Sequence, residues 1–162
     1  MNDIVLLDTS VYLNVLDVEG WNQNREEILS RFREKIQDGA HFILPMATIW
    51  ETGNHIAHLS NGSLRKKYAR ILVDEVTKAL KGETPYKPTT FPSREIFLEW
   101  LDDFPMHAMQ SKRENKPNEG GSLSDLTIFK EWGILKDRHK ASRVLIWSLD
   151  QDLSSYDTGK RD

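Results

Sequence analysis

The chain contains no cysteine, which excludes disulfides, thiolate metal sites and a cysteine nucleophile. It has no apolar run long enough to cross a bilayer and no basic-then-apolar leader, so a cytoplasmic protein is expected. A basic excess is also missing. The formal net charge is −3, which does not announce a nucleic-acid binder, although acids gathered at one site and bases elsewhere give the same total. There is no glycine-rich phosphate loop of the Walker or dinucleotide type, no internal repeat and no low-complexity tract. What is present is 162 residues, 38% hydrophobic and 29% charged. That is the composition of one soluble domain, residues 1–162, able to bury a sizeable core.

The stretch Ile4-Val5-Leu6-Leu7-Asp8-Thr9-Ser10 organises the reading. Four apolar residues without alternation suit a strand covered on both faces, as in a parallel sheet flanked by helices. An acid closing such a strand sits at its carboxyl end, where open α/β sheets place their ligand sites. Beyond it, Val11 to Leu16 starts a helix, and Asp17 to Asn24 is a polar interruption. Ile28, Leu29, Phe32 and Ile36 then recur at helical spacing until Gly39. His41 to Leu44 is a second short strand, and Pro45 opens a helix from Met46 to about Leu59 that carries Ile49, Trp50 and Glu51. After the turn at Asn61-Gly62, Ser63 caps a helix through Leu64, Tyr68, Ile71, Leu72, Val76 and Leu80.

From Lys81 to Pro92 the glycine and prolines break any regular element. Ser93 caps a short helix on Ile96, Phe97, Trp100, Leu101 and Phe104, with Pro105 beyond it. Ser111 to Gly121 reads as a mobile, partly basic loop. A helix from Ser122 to about Trp132 ends at Gly133, and Val144 to Leu149 is the last apolar strand, closed by Asp150. Strands separated by long helical crossovers imply an α/β fold with a mainly parallel sheet and helices on both faces.

Four acids fall where such a sheet would gather them. Asp8 and Asp150 close the first and last strands, Glu51 lies about one and a half turns into a helix entered from a strand end, and Asp125 lies in the first turn of another. Four neighbouring carboxylates repel, and a hard divalent cation with oxygen preference, Mg²⁺ or Mn²⁺, removes that conflict and can activate water on a phosphodiester. Each acid alone also has a structural reading. Asp8 can turn the chain, Asp125 completes a capping-box pattern begun at Ser122, Glu51 can be a solvated helix acid, and Asp150 with Asp152 can form a turn. The functional case is their consistent placement.

The ordered set Asp8-Thr9-Ser10, Pro45-Met46-Ala47-Thr48-Ile49-Trp50-Glu51, Ser122-Leu123-Ser124-Asp125-Leu126-Thr127-Ile128 and Ser148-Leu149-Asp150-Gln151-Asp152-Leu153 resembles the PIN-domain ribonucleases. The similarity runs from Asp3 to about Leu153 apart from an insertion at 81–121. The resemblance implies a PIN-like three-layer fold and a Mg²⁺- or Mn²⁺-dependent ribonuclease, such as the toxin of a toxin–antitoxin pair. Carried over residue by residue, Asp8, Glu51, Asp125 and Asp150 are the catalytic, metal-holding acids. Ser10, Thr9, Ser148, Asp152 and Asn54 are supporting positions. RNA as substrate, a protein antitoxin and a homodimer are the partners it implies.

Lesser signals are His55, at i+4 from Glu51; Trp21 in a polar loop, a candidate for base stacking or partner contact; and three basic groups. These groups, Arg65-Lys66-Lys67-Arg70, Lys112-Arg113-Lys116 and Lys136-Arg138-Lys140-Arg143, are candidate phosphate contacts or plain solvated faces. An Asp-x-Asp phosphatase needs a second acid where Ser10 stands, so that reading ranks behind. The reading from another class is a catalytically silent PIN-like module that binds RNA or protein.

Overall fold

The structure is a computed structural model that describes residues 2–113, 116–150 and 156–157, with the backbone alone for 111–113 and 116–119. Four parallel strands form the central sheet: β1 (Ile4–Leu7), β2 (His41–Leu44), β3 (Tyr86–Pro88) and β6 (Val144–Trp147), in the order β3-β2-β1-β6. The helices are α1 (Thr9–Val15), α2 (Arg25–Gln37), α3 (Met46–Ala57), α4 (Gly62–Leu80), α5 (Arg94–Met109) and α6 (Leu123–Arg138). The expected α/β architecture is present.

Strand β1 shows why the unbroken apolar run is needed. Its residues alternate between faces: Val5 and Leu7 belong to a core shared with α1 and α2, whereas Ile4 and Leu6 pack with Ile128 of α6. Strand β6 divides the same way, with Leu145 and Trp147 on the first face and Val144 and Ile146 on the second. A sheet covered on both faces leaves no polar position in its central strands. It therefore pushes polar chemistry to the strand ends.

The chain moves from β1 through β2 to β3 on one side, then returns to place β6 on the other side of β1. The order reverses at the β1–β6 pair, the place in an open α/β sheet where ligands bind beyond the carboxyl ends of the strands. Leu7 lies opposite Trp147, and the amide of Asp8 donates to the Trp147 carbonyl at 3.0 Å. Asp8 and Ser148 are thus the next residues out on each strand.

Several local expectations need correction. The proline-rich stretch after Lys81 supplies β3, an edge strand, where Pro88 leaves no ladder donor missing on an inner neighbour. Buried Tyr86 anchors it: its hydroxyl accepts from Tyr12 at 3.4 Å and donates to Glu75 at 2.9 Å. The stretch read as a loop pairs as β4 (Ser111–Arg113) with β5 (Lys116–Gly120), antiparallel. Helix α5 continues through Pro105, and α6 runs through Gly133 to Arg138. The cap of α4 is Asn61 and not Ser63; its side chain accepts from the Ser63 and Leu64 amides. Trp50, Ile36 and Leu80, read as core-facing, are exposed.

Helix α3 is tied to the sheet by Thr48. This side chain is fully buried, and its hydroxyl donates to the Leu7 carbonyl at 2.7 Å. The bond fixes the start of α3 against the last residue of β1, one position before Asp8. Thr48→Val keeps the shape but removes the donor, and is expected to lower stability by about 1–2 kcal/mol, read as a shifted midpoint in urea unfolding.

Candidate functional site

Asp8 is both the residue after β1 and the N-cap of α1. It is 5% exposed, in a position where most neighbours are apolar strand and helix residues. Two hydroxyls meet one carboxylate oxygen: Ser148 donates to Oδ2 at 2.8 Å and Ser10 donates to the same atom at 3.1 Å. The two hydroxyls lie 3.3 Å apart. Ser10 Oγ also accepts from the Leu149 amide, and Ser148 Oγ accepts from the Asp150 amide, each at 2.9 Å. The turn after β6 is therefore folded around the same hydroxyls that orient Asp8.

Burial is the largest influence on the Asp8 carboxyl and raises its pKa. The hydrogen bonds from Ser148, the Thr9 backbone and Ser10 oppose it, and the negative field of Asp125 adds to it. Asp125 sits in the first turn of α6, started by Ser122, whose hydroxyl accepts from the Asp125 amide at 3.0 Å. The Ser122 bond is one half of the capping box read from the sequence, and the Asp125 charge is also felt at Asp8.

Glu51, in the second turn of α3, accepts a hydrogen bond from the Thr9 hydroxyl at 3.3 Å. His55, one turn later, is near enough for Asp8 to act on its titration; its pKa is lowered mainly by burial and by His58, with Asp8 opposing. Half-exposed Trp21 lies against His55 with ring centroids 4.5 Å apart. Asp150 lies three residues past β6, partly buried. Asn54 is exposed on α3, and its carbonyl meets His58 Nδ1 at 2.7 Å. Asp152 lies outside the described residues.

The structure thus brings Asp8 into contact with Ser10 and Ser148, Glu51 into contact with Thr9, and Asp125 into electrostatic range of Asp8. Among the described residues, no three Asp, Glu or His side chains form a ready-made metal cage. The donor set is nonetheless all oxygen, and Asp8 is a buried acid with a second acid acting on it. Mg²⁺ is commonly held by one or two carboxylates with waters and substrate phosphates, without an all-protein cage. The residues fit such an ion by their chemistry.

Some members of the basic groups are engaged elsewhere. Arg143 donates to both carboxylate oxygens of Asp157, at 2.9 and 2.6 Å, and Lys136 sits 4.7 Å over the Trp132 ring. Arg65 donates to the Leu59 carbonyl at 2.6 Å. The side chains of Lys112, Arg113 and Lys116 lie outside the description. Two residues escaped the sequence reading. Thr48 carried no signal separate from its helix, whereas Glu131 had one: an acid midway between Ile128 and Leu135 on the apolar stripe of α6.

No protein-family model matches the chain, and no curated protein matches it. Among solved structures, the chain is similar to the crystal structure of FitAcB from Neisseria gonorrhoeae, with a TM-score of 0.54 and 17% identity. The match covers 94% of this chain and 91% of that one. The likeness is one of fold, and the four-stranded parallel sheet between helices is PIN-like. No helix among the described residues is long and apolar enough to cross a membrane.

A carboxyl whose pKa is raised by folding holds an extra proton in the folded state between its unfolded and folded values. Its contribution to stability is therefore intact below pH 3.8 and is lost as pH rises through that window. Above that window the buried group is ionised and carries the full cost of its burial. Asp8→Asn is expected to raise the melting temperature of the EDTA-treated protein at pH 8 by a few degrees, with no gain near pH 3. Scanning calorimetry at the two pH values checks this.

Proposed function

We propose that the protein is a Mg²⁺- or Mn²⁺-dependent ribonuclease that hydrolyses phosphodiester bonds in single-stranded RNA. The observation that carries the reading is the state of Asp8: a carboxylate buried at the point where the strand order reverses, held by two hydroxyls and facing the charge of Asp125. An isolated buried carboxylate costs stability, and a structural role alone does not call for a second acid beside it. Asp8, Glu51, Asp125 and Asp150 are proposed as the metal-holding and catalytic acids. Thr9, Ser10 and Ser148 orient two of them, and Asp152 and Asn54 are supporting positions.

When bound, a divalent cation supplies a water of lowered pKa and neutralises charge that builds on the phosphodiester. The protein's share is orientation. Ser10 and Ser148 hold one Asp8 oxygen in a fixed direction, and Thr9 does the same for Glu51. The closed apolar sheet behind Asp8 lowers the local dielectric, which strengthens each charge interaction at the site. The ordered motifs and the PIN-like fold support a further step, that the protein is a cytoplasmic toxin acting as a homodimer and restrained by a protein antitoxin.

The rival reading is a catalytically silent PIN-like module that binds RNA or a protein partner. It holds if Asp125 serves only its helix start and Glu51 only its bond to Thr9. Cleavage of labelled single-stranded RNA with Mn²⁺, with Mg²⁺ and with EDTA separates the two. Metal-dependent cleavage is expected in the wild type, with losses on the order of 100-fold or more in Asp8→Asn and Asp125→Asn. Cleavage that survives EDTA, or unchanged rates in both folded variants, counts against the proposed site. Absence of both cleavage and Mn²⁺ binding by calorimetry selects the silent module.

A further inference from the structure

Beside the candidate site, a cavity of about 400 Å³ opens between α3, α5 and α6. Its walls include Trp50, Phe91, Phe97 and Trp100, and one carboxylate, Glu131, lies among them. Trp50 and Phe91 are 59% and 62% exposed, and their rings stand 5.5 Å apart at a tilt of 44°. The cavity shares two helices with the site: Trp50 precedes Glu51 on α3, and Ser124, another wall residue, precedes Asp125 on α6.

Glu131 is the unusual member of this lining. Its Oε1 accepts from the Thr89 hydroxyl at 3.1 Å, and Thr89 accepts in turn from the Met46 amide at 3.0 Å. Its Oε2 is buried with no hydrogen-bond partner among the described residues. Burial pushes its pKa up to about 7, with the Thr89 hydrogen bond opposing. Buried acceptors without donors are rare because each forfeits its bond with water. The lining also holds Arg94, Ser124 and Thr127, and none of them bonds to Oε2; a group that enters the cavity with N–H donors would supply the missing bond.

We propose that this cavity is a guanine-recognition subsite for the RNA strand, with the base against Trp50 and Phe91 and its N1–H and 2-amino groups donating to Glu131. The proposal rests on the ribonuclease reading. Stacking on aromatic rings accepts any base, so the choice among bases falls to the carboxylate. Guanine is the one RNA base with two adjacent, parallel N–H donors on its pairing edge, and these match the two oxygens of a carboxylate. Adenine, cytosine and uracil each set an acceptor beside a donor, which would face the second oxygen. The terminal torsion of a glutamate is soft, so a small turn presents both oxygens to the base while Thr89 stays in reach. A base seated here rests on Trp50 and beside Ser124, the residues that precede Glu51 and Asp125 on their helices.

The test is calorimetry of the intact chain in EDTA with guanosine, adenosine, cytidine, uridine and inosine 5′-monophosphates. The guanosine nucleotide is expected to bind at least ~10-fold more tightly than the adenosine, cytidine and uridine forms. Inosine, which keeps N1–H but lacks the 2-amino group, falls between. Glu131→Gln and Trp50→Ala are each expected to lose about tenfold or more in guanosine nucleotide affinity. Both changes spare the fold, since one removes a buried charge and the other an exposed ring, and circular dichroism checks this. Equal affinity for all five nucleotides, no binding of any, or undiminished guanosine nucleotide binding by Glu131→Gln overturns the subsite. Binding is read without metal or cleavage, so the two proposals fail separately. Guanine-selective binding without RNA cleavage upholds the base site and removes the nuclease; metal-dependent cleavage without guanine-selective binding removes the base site alone.

Discussion

The structure depends on the double-sided burial of β1. Val5 and Leu7 face one core and Ile4 and Leu6 the other, so the strand has no surface of its own. Its ladder on both sides, to β2 and to β6, satisfies the backbone groups that this burial removes from water. The cost appears at its end. Asp8 follows directly, in the same low-dielectric surroundings, and the chain answers with hydroxyls at Ser10 and Ser148. Hydrogen bonds from hydroxyls orient a carboxylate without neutralising it. The charge stays available to a ligand.

Two buried acids on this molecule invite comparison. Asp8 has three hydrogen-bond donors around it and a second acid in range, whereas Glu131 has one hydroxyl, aromatic walls and an oxygen without a partner among the described residues. The first arrangement suits a cation, which draws acids together. The second suits a neutral group with N–H donors better than a cation, because the same cavity already holds the Arg94 side chain and is otherwise walled largely by rings. Both environments border on α3 and α6, and Thr48 and Thr89 bond to the backbone at either end of that junction. A shift of α3 would move both environments together.

The periodicity of the chain reads through to most of its helices and to the three apolar strands, because each signal is local and repeated over several residues. Where it failed, a long-range partner had overridden a local preference. Tyr86 makes β3 out of a proline-rich stretch because its hydroxyl is held between Glu75 on the preceding helix and Tyr12, 74 residues back in the chain. Gly133 does not stop α6, since the helix continues to pack Leu135 against the sheet, and its cost of about 1 kcal/mol is small beside that burial. Trp50 shows the converse. Its spacing suited the core, but that flank of α3 meets an open cavity and Phe91.

By itself, the sequence determined the two-faced strand, the acid that ends it and the helix starts that carry Glu51 and Asp125, since apolar runs and caps are written in consecutive residues. Only the tertiary structure decided that Asp8 shares its hydroxyls with β6, that Asp125 acts on it from another helix, and that Glu131 stands in an aromatic cavity beside them. These are facts of strand order and helix packing. Such an order arises from how whole faces are covered, and no single stretch of residues encodes which end of the chain returns to lie beside β1.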